Sequence, residues 1–159
     1  CERMANSPLP PRPDLPGPPI LGFLAGASMV RRAAFLAAGG FQPRFFLGGE
    51  ERLLAVDLAS AGWSMAYLPG AVVHHHPSPA RDSAGRRALL ARNALWFAWL
   101  RRPWGRALGA TLGVLRAAAA DPAVRRGALL AVAGAAWALR ERRVVPAEVE
   151  RALQLVAAV

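Results

Sequence analysis

Lysine is absent from the 159 residues, and cysteine occurs once, as the terminal Cys1. A lone terminal cysteine excludes a disulfide framework and a cysteine metal cluster, and it suits a reducing, cytosolic setting. A run of about 20 apolar residues, as a membrane span needs, is also missing. The longest strongly apolar stretch is the 12 residues 128–139, bracketed by Arg125-Arg126 and Arg140, so a simple transmembrane helix is not expected. No basic segment followed by an apolar one opens the chain, and no signal peptide is visible. The opening on Cys rather than Met reads as a piece of something longer. HExxH, CxxC and Ser-His-Asp cues are missing too, which removes the usual signatures of zinc enzymes and hydrolases.

What is present is a 54% hydrophobic, 19% charged composition, suited to one globular domain. All 20 basic residues are arginine, and against 10 acids they give a net charge of +10. Residues 81–143 hold 13 of these arginines against Asp82, Asp121 and Glu141, whereas the first 80 residues are nearly neutral. Such a basic region points to anionic partners. Arginines interleaved with Trp96, Trp99, Trp104 and Trp137 suit a non-catalytic binding module on an anionic membrane surface or on nucleic acid. Base composition of the genome, with arginine on solvated helix faces, accounts for them equally simply.

Seven of the 14 prolines fall in residues 1–19, which read as a linker. A strand is expected over Ile20–Ala25, then a helix over residues 31–40 that stops at Gly39-Gly40. A Gly-framed loop with Phe41, Phe45 and Phe46 leads to a second helix from Glu50, stopped at Gly62. Residues 63–78 read as two short strands broken at Pro69-Gly70, and residues 81–87 as a basic loop. A helix then runs to Pro103, and Ala-rich helices follow, separated at Asp121-Pro122 and Val144-Val145-Pro146. The fold expected is α/β up to about residue 100, with helices beyond.

Glu50 and Glu51 open their helix at the edge of the stripe formed by Leu54, Leu58 and Ala61. The helix N-terminus favours ionised carboxylates, which would keep one available as a general base; acids in a first helical turn also simply complement the macrodipole. In "PGAVVHHHPS", His74 and His76 of a strand would face one way and His75 the other, so one functional histidine is the maximum. Histidines at a strand end are commonly plain surface residues.

The succession "FLAGASMVRRAAFLAAGGFQPRFFLGGEERLLAVDLASAGWSMAYLPGAVVHHHPS…RN", over roughly Phe23 to Trp104, resembles the C-terminal half of the inverting family 2 glycosyltransferases. The resemblance implies a partial GT-A, Rossmann-like half followed by an all-helical region. Its parts are a Pro-rich linker at 1–19, the acceptor-side part at 20–104 and an Ala/Arg-rich helical region at 105–159. It implies transfer of a sugar from a nucleotide-diphosphate donor to an acceptor glycan or lipid-linked acceptor of the cell envelope. Glu51 takes the catalytic-base position, and Glu50 holds the base or the acceptor hydroxyl. Gly26, Arg92 and Asn93 fall at substrate-binding positions, and His75 where the family has a metal-linked histidine. Mg²⁺ or Mn²⁺ is expected, but the Asp-x-Asp motif of the family's donor-binding half is absent, so little activity is expected without that half. Many relatives carry Asp where Glu51 stands, a second acid at the position of Leu53, and Arg at that of Asp57. The resemblance also places the protein in the cytoplasm or peripherally at the inner face of the membrane, with no nucleic-acid partner.

Overall fold

The computed structural model describes residues 2–76 and 82–158. Cys1, and the Pro77, Ser78 and Arg81 of the expected strand end and basic loop, lie outside the described residues. Among the described residues eight α-helices follow one another: α1 (Glu2–Ala5), α2 (Arg32–Ala37), α3 (Glu50–Ser60), α4 (Ser83–Arg101), α5 (Trp104–Ala120), α6 (Pro122–Ala133), α7 (Ala135–Arg140) and α8 (Ala147–Ala157). Short 3₁₀ turns occupy Ala25–Ala27 and Pro43–Phe45.

The described residues contain no β-strand, which overturns the expected α/β, partial GT-A (Rossmann-like) fold. Among the described residues a single antiparallel bridge pairs Pro19, the last residue of the expected linker, with Ala66 of an expected strand. Ile20 N donates to Met65 O at 3.0 Å and Tyr67 N to Pro18 O at 2.9 Å, and pairing goes no further. Pro16, Pro18 and Pro19 have no N–H to extend a ladder, and a lone two-stranded pair is marginal without a third strand. Residues 68–76 run exposed without regular structure. The expected basic loop is also corrected, because α4 already begins at Ser83: the Asp82 carboxylate accepts from Gly85 N at 2.8 Å and caps the helix.

The chain divides into two compact units. One comprises Cys1–Gln42, Glu51–Pro77 and Pro146–Val159, the other Pro43–Glu50 and Ser78–Val145. In the first, Ala34 of α2 packs with Leu54 and Leu58 of α3, and Phe23, Val30, Phe35 and Ala38 close over them. Both helices end where glycine permits a left-handed turn. Gly39 (φ 85°) and Gly62 (φ 84°) each carry a Schellman pair, Gly40 N to Phe35 O with Gly39 N to Leu36 O, and Trp63 N to Leu58 O with Gly62 N to Ala59 O.

In the second unit α4 packs against α5, α6 and α7. Its buried face holds Ala88, Ala91, Leu95, Trp96, Ala98 and Leu100, small residues alternating with large ones. Trp96 Nε1 donates to Ala131 O at 2.9 Å, and its ring meets that of Trp137 edge-on at 5.4 Å. The segment after α7 returns to the end of α4, where Arg143 N donates to Leu100 O and Val145 N to Arg101 O. The Arg142 guanidinium donates to the carbonyls of Trp99 and Arg102, so the last turn of α4 keeps partners for its orphan acceptors.

The approach of α6 to α4 rests on Gly127, where a Cβ would overlap the Ala88 carbonyl and press on Ala91 Cβ. A Gly127→Val substitution should therefore destabilise the helical unit by about 1–3 kcal/mol. The check is calorimetric: a melting temperature equal to that of the parent chain would show that the two helices can move apart without cost.

Candidate functional site

The site is built from the loop of residues 43–50 and one face of α4, all within the second unit. The 3₁₀ turn puts Phe45 in the interior at 0% exposure, its ring 6.0 Å from that of Trp96. The next residue, Phe46, is 79% exposed and has φ 59°, a left-handed conformation rare outside glycine. Gly48 (φ 85°) and Gly49 (φ 96°) continue in backbone that only glycine adopts readily, and α3 then begins at Glu50. Of these three residues only Phe46 carries a steric cost, and flexible glycines beside it need outside support to hold one shape.

That support comes from Asn93, which is 1% exposed. Its Nδ2 stands 2.9 Å from Phe45 O, 3.1 Å from Leu47 O and 2.7 Å from Gly48 O, so its two N–H groups serve three loop carbonyls. Arg92 completes the grip. Its Nε donates to Asn93 Oδ1 at 3.0 Å, which fixes the carboxamide's orientation, and its Nη2 donates to Arg44 O at 3.0 Å and Phe45 O at 2.9 Å. The guanidinium lies 4.4 Å from the centroid of the Trp96 ring, a cation–π contact at i,i+4 on α4. Partial burial pulls the Arg92 pKa below the ordinary arginine value, and the group remains a cation at any physiological pH.

The loop delivers Glu50 to the start of α3. Its Oε2 is buried and has no hydrogen-bond partner, a condition that costs free energy for a carboxylate unless something else meets it. Glu51 follows in the first helical turn and is half-buried. Both acids thus stand in the first turn of α3, where backbone N–H groups lack intrahelical partners.

The structure thus brings Glu50, Arg92 and Asn93 together in one unit. Gly26, Glu51 and His75 belong to the other. Gly26 sits in the exposed Ala25–Ala27 turn with open space where a Cβ would stand. His75 is exposed in the irregular stretch before residue 77. Among the described residues no group of three or more His, Cys, Asp or Glu could hold a metal ion. These donors do not fit Mg²⁺ or Mn²⁺, which bind through several oxygens. Sequence reasoning missed Phe45 and Trp96 as the floor of the site. The i,i+4 spacing of Arg92 and Trp96 was the signal for the second; nothing in the sequence marks Phe46 as left-handed.

Replacing Asn93 by Ala takes the side-chain donor from the Leu47 and Gly48 carbonyls, while Phe45 O keeps Arg92, at about 1–3 kcal/mol for each group left unsatisfied. Asn93→Asp should be worse, since it sets a carboxylate against those same oxygens. Thermal unfolding of the two variants checks the order, and an Asp variant as stable as the parent would disprove the clamp.

No protein-family model matches the chain. No solved structure matches it either. Two curated proteins do, both named N-acetylglucosaminyl-diphospho-decaprenol L-rhamnosyltransferase, from Mycobacterium tuberculosis strains CDC 1551 / Oshkosh and ATCC 25618 / H37Rv. Each is 37% identical to the chain over 92 residues, covering 52% of this chain. The chain spans 30% of the length of these relatives, so it is similar to one part of a glycosyltransferase.

Proposed function

We propose that the chain is the acceptor-side part of an inverting family 2 glycosyltransferase that moves a sugar from a nucleotide-diphosphate donor to an acceptor hydroxyl. The observation that carries this reading is the 37% identity to the two mycobacterial rhamnosyltransferases. Their names suggest the substrate class: a deoxyhexose such as L-rhamnose, and an acceptor sugar joined through diphosphate to a polyprenol. The clamped loop adds a physical reason, since Asn93 and Arg92 hold in place the backbone that leads to Glu50, the residue before Glu51.

In this reading Glu51 takes the proton of the acceptor hydroxyl while that oxygen attacks the anomeric carbon from the face opposite the leaving group. The bond from the anomeric carbon to the diphosphate oxygen breaks, and the nucleoside diphosphate leaves with the electron pair. General-base assistance of this kind contributes about 10²–10⁴-fold. Glu50, with one oxygen lacking a protein partner, orients the acceptor hydroxyl or the base. Gly26 leaves room for close approach of acceptor or sugar. Arg92 and Asn93 act on substrate through the loop they hold. Donor binding, and the divalent cation expected on the donor phosphates, belong to an Asp-x-Asp region that this sequence does not contain. Transfer activity should accordingly be low until such a region is joined to the chain.

With a donor-binding region joined to it, the chain should turn over nucleotide-sugar in the presence of a diphosphate-linked acceptor. Glu51→Gln should lower kcat by about 10²-fold or more, and Glu51→Asp should retain part of the rate. Anomeric configuration of the product, read by NMR, should be inverted. Undiminished turnover by the Gln variant would remove Glu51 from the role of base.

A further inference from the structure

Two helices of the second unit leave one side uncovered. On α5, Trp104, Leu108, Leu112 and Leu115 recur at helical spacing and are 53–61% exposed, while Ala107 and Ala118 face inward. On α6, Leu129 and Val132 are 69% and 67% exposed. The two stripes are continuous, because Leu115 of α5 and Arg125, Leu129 and Val132 of α6 line one shallow groove of about 370 Å³. Large aliphatic side chains in such a row are more than the scattered exposed leucines of an ordinary surface.

The charge beside this stripe has one sign. Arg116 on α5 and Arg125 and Arg126 on α6 are exposed, and each lies within about 60° of an apolar stripe residue at 100° per residue. Neither helix carries an acid. The one carboxylate between them, Asp121, accepts from Ala123 N at 2.8 Å and from Arg87 Nε at 3.0 Å, and is held below the usual carboxylate range first by the amide and then by the arginine. At the start of α5 the Arg142 guanidinium lies 3.9 Å from the centroid of the Trp104 ring, another cation beside an aromatic anchor.

We propose that α5 and α6 form a docking surface for an anionic lipid leaflet. The helices lie in the plane of the interface, with Trp104, Leu108, Leu112, Leu115, Leu129 and Val132 in the acyl boundary and Arg116, Arg125 and Arg126 at lipid phosphates. No helix of the described residues is long and apolar enough to cross a membrane, so the surface lies on the bilayer and does not span it. Charge complementarity selects this occupant. A second copy of the chain would bring arginine rows against each other with no acid to offset them. A nucleic acid would meet aliphatic side chains where stacking needs aromatic ones. The inference stands on this surface alone and does not depend on sugar transfer.

The test is co-sedimentation of the whole chain with vesicles of phosphatidylcholine alone and of phosphatidylcholine with phosphatidylglycerol. Binding is expected to the anionic vesicles and to weaken with salt. Leu112→Glu/Leu129→Glu and Arg116→Ser/Arg125→Ser/Arg126→Ser should each weaken it about tenfold or more. Leu36→Glu, on an exposed leucine of the other unit, should not. Circular dichroism of these surface variants should match that of the parent. Equal binding by parent and variants, or equal binding to neutral and anionic vesicles, would overturn the proposal. So would self-association that Leu112→Glu/Leu129→Glu abolishes, with no vesicle binding by the parent.

Discussion

A single carboxamide nitrogen, that of Asn93, faces the carbonyls of Phe45, Leu47 and Gly48 from a position with almost no access to water. In such surroundings a carbonyl without a donor is costly, so the loop has little choice of conformation while Asn93 stays in place. Arg92 restricts it further by holding Asn93 Oδ1 and the backbone oxygens of Arg44 and Phe45, and Trp96 restricts Arg92 by lying under its guanidinium. The direction of dependence runs from the buried face of α4 outward to the loop, and from the loop to Glu50. Left-handed backbone at Phe46 is held by these contacts, and at Gly48 and Gly49 it needs only the absence of a side chain.

The helix-ending signals of the sequence were legible. Gly39, Gly62, Pro103 and the Asp121-Pro122 pair each end or begin a helix for the local reason their chemistry suggests. The strands were not, because an apolar run such as residues 20–25 states that a segment is buried or extended without stating that a partner exists. Leu21 is indeed buried, yet the prolines before Ile20 limit pairing to one bridge. The Arg92-Asn93 pair was legible through its resemblance to a family motif, whereas its inward grip on loop carbonyls could be known only once the loop's path was known. Phe45 looked like one of several loop aromatics, and only its position against Trp96 separates it from the exposed Phe46.

The acid-bearing loop and the uncovered helical face belong to the same unit, and its core serves both. Gly127 lets α6 approach α4, and Trp96 joins that packing to the site by touching Phe45, Arg92, Ala131 and Trp137. Glu50 at the end of the loop and the uncovered face are thereby carried by one helix packing. The composition fits this division of labour: small alanines and glycines between the helices, large aliphatic side chains and arginines outside.

The central claim is that the face of α4 dictates the shape of the loop. Native-state hydrogen exchange of the Leu47, Gly48, Gly49 and Glu50 amides, compared between the parent chain and Arg92→Ala, tests it most directly. The account predicts that these amides exchange about tenfold faster or more in the variant, while amides in the middle of α5 keep their protection. Unchanged exchange in the loop would contradict it, since the loop would then hold its shape without the cation that fixes Asn93.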